Sequence, residues 1–81
     1  MDDKTTKLRL YRDFRDLALR QCREYIARAK AELQWAKIDR KHGYRNDNLE
    51  SQQSAAYYRK KALWWYARYQ QKCQQIAELE N

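Results

Sequence analysis

The chain has 81 residues, with 18 Lys and Arg against 11 Asp and Glu, a formal net charge of +7. That length gives a single domain, 1–81, whose lone core supplies only a few kcal/mol, so a partner or a second copy is expected to complete the burial. One glycine, no proline, no valine and five β-branched residues (Thr5, Thr6, Ile26, Ile38, Ile76) leave too little to build strands; the rest are residues that lose little side-chain freedom in a helix, so the fold class is all-α.

The N-terminus, MDDKTTK, lacks the apolar core of a signal peptide, and no apolar run approaches the ~18–20 residues of a membrane span. A cytoplasmic location without a membrane span is therefore expected. Helix one is predicted over about 6–42. Tyr11, Phe14, Ala18, Cys22, Tyr25, Ala29, Leu33 and Ala36 recur at three and four residues, an amphipathic stripe. The same stripe repeats every eleven residues (Tyr11, Cys22, Leu33; Phe14, Tyr25, Ala36), which predicts a straight or slightly right-handed seam. Residues 1–6 are an arm that could order on binding.

Gly43 follows Arg40-Lys41-His42, so a cationic last turn is closed by a residue that tolerates the left-handed conformation. A turn over 43–47 follows, with Tyr44 expected to fold back on Ile38. Asp47 and Glu50 have capping-box spacing, which predicts helix two over about 48–79. Two such helices joined by a short turn lie antiparallel as a helical hairpin. A turn midpoint near residue 45 pairs positions whose numbers sum to about 91: Ala18 with Cys73, Cys22 with Tyr69, Ala29 with Ala62, Leu33 with Tyr58, and Ala36 with Ala55. A second apolar strip on each helix, Leu10, Leu17 and Trp35 on one and Leu63 and Tyr66 on the other, could dimerise the hairpin into a four-helix bundle.

Catalytic chemistry finds no footing. His42 sits at a helix end, where a capping role suffices. No nucleophile has a spaced base, no glycine-rich loop can cradle phosphate, and the carboxylates fall one helical turn from arginines (Asp16 near Arg12 and Arg20, Glu24 near Arg20 and Arg28, Glu32 near Arg28), the spacing of helix-surface ion pairs. Two distant cysteines, expected as reduced core thiols, and one histidine supply no metal-ligand set. Neither an enzyme nor a cofactor or metal protein is expected.

The segment Tyr57–Tyr69, YYRKKALWWYARY, holds six of the eleven aromatic residues, more rings than one helix face can bury. Tyr57, Lys60, Lys61, Trp64 and Arg68 form the expected partner-binding face, since aromatic residues and arginine are the usual interface anchors. Arg9, Arg12, Arg20, Arg23, Lys30 and Lys37, continued by Lys41, fall along one flank of helix one as a basic stripe for phosphate or an acidic partner. The primary expectation is a small, basic, non-enzymatic protein that binds and modulates another protein, such as a nucleic-acid-processing enzyme. The alternative is direct, non-sequence-specific nucleic-acid binding, with the stripe on phosphates and the rings stacked on bases.

Overall fold

The computed structural model describes the backbone of residues 3–43 and 45–81, and the side chains of all of these except residues 39 and 45–48. It is an antiparallel pair of helices, α1 (Asp3–His42) and α2 (Arg45–Glu80). A helix of 40 residues rises about 60 Å at 1.5 Å per residue, and the molecule is a rod of 62 × 15 × 13 Å. With neither glycine nor proline before residue 43, nothing interrupts α1. Gly43 ends it at φ 84°, its N–H donating to the Arg40 carbonyl at 3.3 Å, while Arg40, Lys41 and His42 occupy the cationic last turn against the negative end of the helix dipole.

Both helices begin earlier than their sequence cues suggest. Residues 3–6, expected as an arm, are already helical. The start of α2 at Arg45 puts Asp47 inside the first turn instead of at the cap; its side chain, and the expected contact of Tyr44 with Ile38, lie outside the described residues. The connection is therefore two residues long and not five.

The small residues expected at the seam are buried. Among the described residues, Ala18, Cys22, Ala29, Ala36, Ala55, Ala62 and Ile76 are the buried apolar ones, and no large side chain is fully buried. The Tyr58 ring centroid lies 6.0 Å from that of Tyr25, and the Trp65 ring lies 6.4 Å from Phe14. At the open end Arg12 reaches Glu80 at 2.6 Å.

The residues of the eleven-residue stripe are all buried or half-buried, and a seven-residue spacing also runs through the seam. In α1 the buried and half-buried positions step three and four from Leu8 through Tyr11, Arg15, Ala18, Cys22, Tyr25, Ala29 and Glu32 to Ala36; in α2 they run from Ser51 through Ala55, Tyr58, Ala62, Trp65, Tyr69, Lys72 and Ile76 to Leu79. This is the heptad spacing of a left-handed seam. Phe14 and Leu33, which completed the eleven-residue reading, are half-buried residues flanking it. A core of five alanines, one cysteine and one isoleucine gains little per residue, about 0.8 kcal/mol for each buried methylene-sized group, and relies on close helix approach.

Candidate functional site: an aromatic and cationic face

Projected at about 100° per residue from the buried positions, Tyr57, Lys61, Trp64 and Arg68 share one flank of α2, and Lys60 sits on its outermost edge. The cause is local: α2 carries rings at the seam positions 58, 65 and 69 and more rings immediately beside them, at 57, 64 and 66, so the second set cannot enter the seam. Tyr57 is 55% exposed and Trp64 49%. All five expected residues are thus on the surface, and Tyr57, Lys60, Lys61 and Trp64 line one groove of ≈ 460 Å³ with Tyr25 and Trp65.

The rings are held by their neighbours. The Arg68 guanidinium lies 4.7 Å from the Trp64 centroid, and Trp65 stands nearly perpendicular to Trp64 at 4.9 Å. The Lys61 ammonium lies 5.7 Å from the Tyr57 centroid, and Tyr58 meets Tyr57 edge to face at 5.6 Å. These are the geometries the ring quadrupole favours. Lysine and arginine so placed shield one face of each ring and leave the rest open.

The pattern extends beyond the residues the sequence singled out. Arg28 lies 5.4 Å from the Tyr25 ring, and Lys72 sits 4.5 Å from Tyr11 and 5.3 Å from Phe14. Rings and cations therefore alternate along most of the rod. Tyr11, Phe14 and Tyr25 read as seam residues in the sequence, and only the fold shows that their half-buried edges meet cations. Leu10 and Trp35, 60% and 59% exposed, project to the same side as Trp64.

The basic stripe does not join this face. Arg9, Arg12, Arg20, Arg23, Lys30 and Lys37 are all exposed, but they project outward or to the opposite flank, where Lys30 lines a different groove of ≈ 470 Å³ with Ile26, Leu33, Arg59, Leu63 and Tyr66. The two grooves share no residue. Leu63 and Tyr66 accordingly face away from the Leu10, Leu17 and Trp35 strip. Within the stripe, Arg12 is engaged with Glu80; Asp16 pairs with Arg15 at 3.2 Å. Among the described residues, the expected one-turn pairs of Glu24 and Glu32 do not form, so the neighbouring arginines keep their charge for other contacts.

Cys22 is buried, Cys73 half-buried, and both thiols are free. The Tyr69 hydroxyl hydrogen-bonds to the Cys73 sulfur, which, with the charge that sulfur can carry and some burial, raises the tyrosine above its ordinary value, against a smaller opposing effect of Arg15. Among the described residues no group of three or more histidine, cysteine or carboxylate side chains could hold a metal, and no helix is long and apolar enough to cross a membrane. Comparison with protein-family models, curated proteins and solved structures finds no match to this chain.

Proposed function

We propose that this hairpin is a non-enzymatic interaction protein that docks the face of Tyr57, Lys60, Lys61, Trp64 and Arg68 onto another protein and modulates it, an acidic surface of a nucleic-acid-processing enzyme being a suitable target. The observation that carries this reading is the half-exposed Trp64, with Arg68 on one face and Trp65 against it. A ring already ordered by its neighbours loses little freedom on binding, and tryptophan and arginine are both enriched among interface anchors. The thin alanine core supports the same reading, because much of the chain's aromatic surface finds no burial within the hairpin. Aromatic contacts give affinity, and the net positive charge speeds encounter with an acidic partner. The protein acts in the cytoplasm on this reading.

Direct nucleic-acid binding is the second reading, favoured by the cations set beside the rings of Tyr57 and Trp64. It loses the form in which helix-one arginines hold the phosphates while these rings stack on bases: a single strand would have to wrap the rod to touch both. Arg68 and Lys61 also cover ring faces on which a base would stack. The two readings separate on one titration, in which labelled random-sequence single strands, duplexes and RNA are followed by anisotropy at about 50 and 200 mM salt. Protein docking predicts at most a weak response that vanishes at the higher salt, together with a cellular partner retained by the wild type and lost by Trp64→Ala. Sub-micromolar binding that persists at high salt and fails in Trp64→Ala would overturn it.

A further inference from the structure

From the groove on the opposite side of the rod we infer that the hairpin has a second docking site, and that its occupant is an acidic amphipathic helix of another protein. Ile26 and Leu33 on α1 and Leu63 and Tyr66 on α2 give the groove its apolar wall, with Lys30 and Arg59 at its two rims. Leu63 is 68% exposed, Tyr66 44% and Ile26 42%, so the hairpin itself does not cover them. Ile26 and Leu33 are seven residues apart, about 10 Å along the axis, which matches two turns of a helix presenting apolar side chains at i, i+3 or i+4, and i+7.

Charge selects the occupant. Among the described residues lining the groove none is acidic. One heptad to either side of Lys30 on the same flank stand Arg23 and Lys37, and one heptad to either side of Leu63 stand Ala56 and Gln70. An apolar trough between cationic rims complements a helix with an apolar stripe and glutamate or aspartate flanks. A second copy of this chain fits poorly, since it would bring Arg23, Lys30, Lys37 and Arg59 of one copy against the same cations of the other with no carboxylate between them. This site and the Trp64 face share no residue, so each can bind independently of the other, and together they would let the rod bridge two proteins.

The test is selection from a displayed library of amphipathic helices that keep a fixed apolar stripe and have flanks randomised over Glu, Lys, Gln and Ser. Wild-type protein should enrich Glu-flanked clones whose binding weakens with salt. For a selected clone, Leu63→Glu should reduce affinity about tenfold or more and Trp64→Ala should change it by less than about twofold. The double variant Lys30→Glu, Arg59→Glu should reverse the preference toward Lys-flanked clones. All these positions are exposed, and unchanged helicity by circular dichroism shows that the variants fold. The inference is overturned by enrichment without regard to flank charge, by no enrichment, by clones that still bind Leu63→Glu, or by sedimentation showing a wild-type dimer that Leu63→Glu dissociates.

Discussion

Arg68 lies over Trp64 at 4.7 Å, one helical turn further along α2, so the central anchor of the proposed interface is ordered before any partner arrives. Trp64→Ala should therefore cost at least ~2 kcal/mol of partner affinity while leaving the fold within about 0.5 kcal/mol, as expected of an exposed position. Arg68→Lys keeps the charge but loses the planar stack, and should recover only part of the binding that Arg68→Ala loses. Calorimetric titration against the partner, paired with urea unfolding of each variant, checks both; equal losses of affinity and stability would mean that Trp64 belongs to the fold.

The seam tolerates no added volume. Ala18 is 0% exposed and Ala55 2%, and a leucine at either position must push the helices apart, at about 1–3 kcal/mol. For a domain of this size that corresponds to a fall in Tm of roughly 4–8 °C per kcal/mol. Ala27→Leu, on the exposed side of α1, should change stability by no more than about 0.5 kcal/mol. Thermal unfolding of the variants tests the assignment, and a harmless Ala18→Leu would show that α1 and α2 do not approach closely.

The hairpin was legible because its signals are local and redundant. Forty-two residues without glycine or proline, then Gly43 behind three basic residues, specify one long helix and its end, and the buried alanines follow from a period that survives errors of register. The start of the second helix was not legible. The spacing of Asp47 and Glu50 suggested a cap, whereas α2 starts at Arg45. The five residues of the aromatic face were readable because too many rings crowd a short segment, but the side of the rod they occupy relative to Lys30 and Arg23 depends on which flank of α1 meets which flank of α2. The groove of Ile26, Leu63 and Tyr66 was invisible for the same reason.

Gly43 holds φ 84° with nothing within 4 Å of where a Cβ would stand, so a substitution there meets conformational strain alone. Gly43→Ala should cost about 1–2 kcal/mol, the penalty of the left-handed region for an L-residue, and Gly43→Asn should cost less because asparagine visits that region more readily. Urea unfolding midpoints in the order Gly, Asn, Ala would bear this out. An alanine variant as stable as the wild type would mean that the turn has another accessible path.

At the other end of the seam, Tyr69 is hydrogen-bonded to Cys73, and its ionisation is held above the usual tyrosine range by that bond first and by the sulfur's charge second. The folded chain therefore keeps a proton that the unfolded chain gives up near pH 10. Below that pH the contribution to stability is complete; as the pH rises from about 10 toward the higher folded-state value, the unfolded chain binds fewer protons than the folded one and stability falls. Cys73→Ala removes both leading causes, so Tyr69 should titrate earlier and this part of the alkaline loss should shrink. NMR of ring-labelled tyrosine, with Tyr69→Phe assigning the resonance, reads the ionisation directly. If Tyr69 titrates at the same pH in the wild type and in Cys73→Ala, the hydrogen bond does not control it.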